Sequence, residues 1–293
     1  MRVSFTSFLP LVALGGVTVS CTASLELDRF RTDQASIETD GGAAANVNYF
    51  DVRYSAKSME SHLDEYFEMR VVDRNNAVQA KAIYNDIFGP DFVLYLAKIV
   101  PKSNAPYRLD YWADHNRSGG YTGILGGINE KDHAWRRVLA DPLPNDIQLV
   151  GSTYNFEFLH DTNFVDIFTD LEGKPISGDD TLLPFELTVP GANAFLGKMM
   201  EVRVVELASG RLVGLYRQGR LKEPFKATIT GILDEVTKYE VAAYVDVNAS
   251  GKYDTGDPSW KFEFTSNASG ASVQLDHATL PQTPIETGEP TSP

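Results

Sequence analysis

The chain repeats itself, and this constrains its fold more than any other feature. The run Leu63-Asp64-Glu65-Tyr66-Phe67-Glu68-Met69-Arg70-Val71-Val72-Asp73 aligns with Leu196-Gly197-Lys198-Met199-Met200-Glu201-Val202-Arg203-Val204-Val205-Glu206, so E-x-R-V-V-acid recurs. Tyr107, Asp114, Asn116, Gly119 and Tyr121 then match Tyr239, Asp246, Asn248, Gly251 and Tyr253 without a gap. Asp132 and Trp135 match Asp257 and Trp260 after a glycine-rich insert of seven extra residues in the first copy, and Phe158-x-His160 pairs with Leu275-x-His277. Matching blocks in the same order mark a duplication, so one set of elements should be built twice.

Those elements read as strands. Tyr66, Glu68, Arg70 and Val72 alternate with Phe67, Met69 and Val71, and Asp91–Lys98, Tyr107–Ala113, Ala227–Thr230 and Tyr239–Val245 favour β-branched and aromatic residues. No stretch holds a helical period for three turns; Ser58–Tyr66 comes nearest and is short. Strands at intervals of roughly 8 to 15 residues, with Gly, Asn and Pro between them, predict an all-β chain of two tandem antiparallel β-sandwich domains of the prealbumin or immunoglobulin kind. Residues 44–169 form the first repeat and 181–279 the second, with 170–180 a linker by composition and 280–293 a disordered tail. The pattern resembles the transthyretin-type and Cna-B-type sandwiches of bacterial surface proteins.

The N-terminus is of another kind. Residues 1–21 carry one early Arg2, an apolar run from Val3 to Val19 interrupted by Pro10, then Ser20 and Cys21, which reads as an export signal. The run is too short and too broken for a span that needs about 20 apolar residues. Thr18-Val19-Ser20-Cys21 resembles a bacterial lipobox, with Thr18 where leucine is usual. The resemblance implies cleavage before Cys21, acylation of that cysteine, and membrane attachment through two or more acyl chains. Thr22, not aspartate, follows it, which implies the outer membrane; an ordinary signal would instead leave a periplasmic or secreted protein. Residues 22–43 are small and polar and read as a flexible tether. Cys21 is the chain's single cysteine, so no intrachain disulfide can form.

Forty acidic against 26 basic residues leave a net charge of −14, which repels phosphate backbones and excludes nucleic acid as a partner. One acidic cluster has a pattern. In DVNASGKYDTGD the oxygen donors Asp246, Asn248, Ser250, Asp254 and Asp257, with the Lys252 carbonyl, fall on the positions of a twelve-residue calcium loop, and Gly251 supplies the sharp turn. The loop resembles those of EF-hands and dockerins, with Asp257 in place of the longer glutamate. Calcium, in a structural role, is therefore the expected cofactor; a plain Asn-x-x-Gly turn between strands is the alternative. The first copy, DHNRSGGYTGIL, keeps Asp114, Asn116 and Ser118 but has Thr122 and Leu125 at the later ligand positions; Asp132, beyond the insert, is placed to fold back as a substitute.

Histidine is distributed unevenly. The first repeat holds His62, His115, His133 and His160, where the second has Phe195, Val247, Pro258 and His277. Four imidazoles could converge on a transition metal, yet no H-x-H or H-E-x-x-H pairing joins them, and scattered surface and core histidines are the alternative. Nucleophile-elbow, phosphate-loop and dinucleotide motifs are missing. The sequence thus predicts a non-enzymatic, lipid-anchored envelope module with calcium-stiffened repeats that binds a protein or glycan ligand. The alternative is a metal-binding protein or metalloenzyme built on the first-repeat histidines.

Overall fold

The computed structural model describes residues 49–102, 106–177 and 181–289. The signal segment, Cys21, the tether, residues 178–180 of the linker and residues 290–293 of the tail lie outside the described residues. The described chain is built of strands joined by turns and loops, and its helical elements are two short 3₁₀ turns, Glu60–His62 and Ala192–Phe195. The first half contains β1 (Tyr49–Lys57), β2 (Phe67–Val72), β3 (Val78–Asn85), β4 (Phe92–Pro101), β5 (Tyr107–Ala113), β6 (His133–Leu139), β7 (Ile147–Val150) and β8 (Thr153–Leu159). The second contains β9 (Leu183–Val189), β10 (Met199–Glu206), β11 (Arg211–Gln218), β12 (Phe225–Leu233), β13 (Lys238–Asp246), β14 (Ser259–Thr265) and β15 (Ala271–Gln274). The short 3₁₀ turns fall where Ser58–Tyr66 gave the best helical pattern and at its repeat partner: one turn closes, and the extended residues Leu63 and Leu196 end it.

The all-β sandwich expectation holds, and the sheets differ from two independent sandwiches. One eight-stranded sheet, ordered β14-β13-β10-β11-β3-β2-β5-β6, runs through both halves, joined where β3 and β11 pair in parallel. A four-stranded sheet, β4-β1-β8-β7, covers the first half and a three-stranded sheet, β12-β9-β15, the second. The antiparallel expectation is corrected at three pairings, β1–β8, β3–β11 and β9–β15, which are parallel. Their strands are distant in sequence and meet by crossover connections; the turn-linked strands are antiparallel.

The covering sheets lie on opposite faces of the shared one. Registered neighbours in a sheet point the same way, and Ala82 and its partner Leu215 belong to the first core while Ile83 and its partner Tyr216 belong to the second. The seam strands β3 and β11 are therefore buried on both faces, β11 along nearly its whole length and β3 from Ala80 to Tyr84. The first core packs Tyr54, Phe67, Tyr111, Trp135, Phe156 and Phe158; the second packs Phe185, Val202, Val204, Ile229, Tyr239 and Trp260.

Each half also hides the E-x-R of its repeat signature on the face away from its own core. Glu68 accepts from Arg70 and Tyr66. Glu201, 0% exposed, accepts from both Arg203 and Arg217, whose guanidiniums also donate to the Tyr95 and Val93 carbonyls on β4. Those bonds cap the open edge of the four-stranded sheet, a place where unpaired carbonyls would otherwise invite another strand. Residues 281–289, read from composition as part of a disordered tail, lie along this face: Ile285 is buried against Ala242 and Tyr244, and the Thr287 carbonyl accepts from Arg203. One isoleucine among polar neighbours is enough to dock a segment when a complementary slot exists.

Candidate metal centre

The strand layout brings the four first-half histidines to one end of the sandwich. His62 ends the first 3₁₀ turn, His115 follows β5, His133 opens β6 and His160 follows β8. β5 and β6 are paired neighbours, with Ala113 opposite His133, and His160 N–H bonds to the Lys57 carbonyl at the end of β1. Ring centroids lie 5.3 Å apart for His62–His115, 5.0 Å for His62–His133, 4.9 Å for His62–His160 and 4.3 Å for the stacked pair His115–His133. His62, His115 and His133 each offer a ring nitrogen within 4.8 Å of the other two; among the described residues no other trio of histidine, cysteine or carboxylate ligands meets that spacing.

Hydrogen-bond partners fix what each ring presents. His62 Nδ1 is 2.7 Å from Glu65 Oε2 and His115 Nδ1 is 2.9 Å from Glu65 Oε1, so one buried carboxylate takes both N–H groups and leaves both Nε2 atoms as lone pairs. His133 Nε2 sits 2.8 Å from the Ile128 carbonyl, which can only accept, so that nitrogen carries the hydrogen and Nδ1 is the lone pair. His133 Nδ1 then lies 3.3 Å from His62 Nε2, which lies 3.0 Å from His160 Nε2. Lone pairs at that separation repel unless something positive stands between them: one hydrogen, or a metal cation. Nitrogen ligands about 2.0–2.1 Å from a tetrahedral zinc are themselves a little over 3 Å apart, so the spacing suits the cation.

Burial favours the neutral form of two of these rings, His133 and His160. Burial pulls the His133 imidazole down to about 4, the Ile128 hydrogen bond opposes this, and the neighbouring histidines add to the lowering. His160 is lowered for the same leading reason, burial, with His62 next. Trp135 and Phe164 close over the rings, edge-on to His62 and stacked on His133 respectively.

The second half shows what this position looks like without the cluster. Phe195, the partner of His62, packs against Trp260 and His277, and His277 Nε2 bonds the Gly191 carbonyl. The fold is therefore satisfied by an aromatic plug here. The histidine cluster belongs to the first half alone.

The two acidic loops are near copies of each other. Asp114 accepts from Ser118 N and Gly119 N as Asp246 does from Ser250 N and Gly251 N. Left-handed backbone recurs at Arg117 and Ala249 and at Gly119 and Gly251. Asn248 Nδ2 donates to Asp254 Oδ2, Ser250 Oγ to the Lys252 carbonyl, and Asp257 accepts from Val247 N and Asp254 N. In the first loop Asn116 donates to Thr122 instead. Asp132 reaches back past the insert, as sequence position suggested, and accepts from Thr122 N and Oγ1. Its other oxygen is buried without a partner, and burial pushes its carboxyl up, with Asp114 adding to the shift.

A scan against protein-family models finds no match, and searches of curated proteins and of solved structures find none either.

Proposed function

We propose that the protein is a metal-binding envelope module whose first half holds a divalent transition-metal ion, zinc or copper, on His62, His115 and His133, with His160 as a further ligand. Glu65 orients two of the rings. The observation that carries this reading is the meeting of His62 Nε2 and His133 Nδ1 at 3.3 Å, each left as a lone pair by its own buried hydrogen bond. Imidazole-only donors favour zinc, copper and their neighbours over calcium or magnesium. Attachment through an acylated Cys21 to the outer membrane, and capture of an outside protein or glycan, complete the proposal without assigning catalysis.

Metal analysis of the full chain after exposure to zinc or copper and gel filtration tests it. The expected result is about one ion per chain, as one three- or four-ligand site requires, falling to background in His62→Ala and His133→Ala. Background metal in the unaltered chain refutes the reading.

Calcium on the second loop is favoured by one further observation. Asp246 and Asp257 are 2% and 5% exposed, and among the described residues no lysine or arginine pairs with either. Buried carboxylates without a cation are costly, and a divalent ion would offset that. Calcium titration should raise the melting temperature of the chain but not of Asp246→Asn; equal melting of both with and without calcium counts against it.

A further inference from the structure

A second site, independent of the histidine centre, draws its lining from both halves of the chain. A cleft of about 720 Å³ opens between the outward row of β1, the ends of β10 and β11, and the Asp246 loop, which forms one wall through Ala249, Ser250, Gly251 and Lys252. That volume lies within the range of about 300–1,000 Å³ typical of small-molecule sites.

The lining concentrates positive charge in a chain whose net charge is −14. Strand alternation puts Val52, Tyr54 and Ala56 in the core and leaves Arg53, Ser55 and Lys57 facing the cleft, where Lys252 joins them. Among the described residues no carboxylate forms an ion pair with Arg53, Lys57 or Lys252. Three acidic groups also line the cleft, and two of them are turned to backbone donors: Asp246 accepts from the Ser250 and Gly251 N–H groups, and Asp91 from Ser58 N. The third, Glu289, has its carboxyl pushed up by burial and then by Glu201. Apolar surface completes the cleft. Phe88 is 54% exposed at its rim, and Phe92, Val93 and Met199 line it.

Unpaired cations beside an exposed aromatic and a methionine match one kind of ligand. We propose that this cleft binds a small organic anion with an apolar body, its carboxylate, sulfonate or phosphate held by Arg53, Lys57 and Lys252 and its body against Phe88 and Met199. The overhanging Asp246 loop would then be a wall of a binding site as well as a turn.

Two dyes of similar shape and different charge test this on the full chain: anionic 8-anilinonaphthalene-1-sulfonate and neutral N-phenyl-1-naphthylamine. The anion should bind saturably at one site with fluorescence enhancement. Arg53→Glu and Lys252→Glu, on separate elements so that misfolding of one leaves the other informative, should each weaken it by about tenfold or more, the scale of reversing a desolvated charge contact. Lys238→Glu, at the far end of β13, should not change it. The neutral dye should bind more weakly and ignore all three substitutions. Equal binding of the two dyes, or an anion affinity indifferent to both Arg53→Glu and Lys252→Glu in variants that melt normally, would overturn the proposal.

Discussion

At the residue scale, the histidine cluster depends on which nitrogen carries a hydrogen, and Glu65 decides this for two rings at once. Glu65→Gln keeps the shape but can accept through only one oxygen, so one ring loses its anchor. We expect metal affinity to fall by about 10- to 100-fold, as for other second-layer partners of metal-bound histidine, measured by competition with a chromophoric chelator; an unchanged affinity would remove Glu65 from the site. His133 gives a pH prediction for the metal-free chain. Its folded value is about 4 against an ordinary 6.5, so between those values the unfolded chain binds the extra proton. The contribution is fully present above pH 6.5, is lost as pH falls through that window, and stays lost below 4. Melting temperature should therefore drop across that interval, and less so in His133→Phe; parallel profiles for the two chains would contradict the assignment. No local motif announces these residues, because they come from a turn, a loop and two strand ends that only the folded sheets bring together. The signal available in the sequence was comparative: three of the four stand where the second copy has Phe195, Val247 and Pro258.

At the element scale, the E-x-R repeat was legible as a pattern and not as a role. Alternation puts Glu201 and Arg203 on one face of β10, but that this face is buried follows from β4 and the C-terminal segment lying over it. Burial alone would push the Glu201 carboxyl up; Arg203 and Arg217 outweigh it and hold it below the usual carboxylate range. Removing the acid strands two buried guanidiniums, so Glu201→Ala should cost about 3–5 kcal/mol in chemical denaturation, and a loss under 1 kcal/mol would place the pair in a solvated setting. Gly219 offers a second element-level test. A Cβ there would collide with the Asp86 carbonyl oxygen, a backbone atom, so Gly219→Ala must displace the turn that follows β3. We expect a loss of about 1–3 kcal/mol, visible as a lowered denaturation midpoint.

At the scale of the whole molecule, the all-β class and the sandwich layering were readable, since period-two alternation and aromatic anchor residues such as Trp135 and Trp260 report directly on a core. The shared eight-stranded sheet was not. Its seam pairs β3 with β11 across more than a hundred residues, and a strand apolar on both faces looks alike whether its neighbour belongs to its own half or the other. The docked segment around Ile285 escaped for a related reason: composition measures how much a stretch can bury, not whether a slot awaits it. Because one sheet serves both halves, unfolding of the full chain should be a single cooperative transition, with calorimetric and van't Hoff enthalpies equal; two resolved transitions would mean that the seam is weak. Anomalous diffraction from crystals of the full chain grown with one equivalent of zinc is the most direct test of the proposed metal centre. The proposal predicts a single strong peak among His62 Nε2, His133 Nδ1 and the ring nitrogens of His115 and His160. A map with zinc only at surface carboxylates, and those four rings hydrogen-bonded to one another alone, would contradict it.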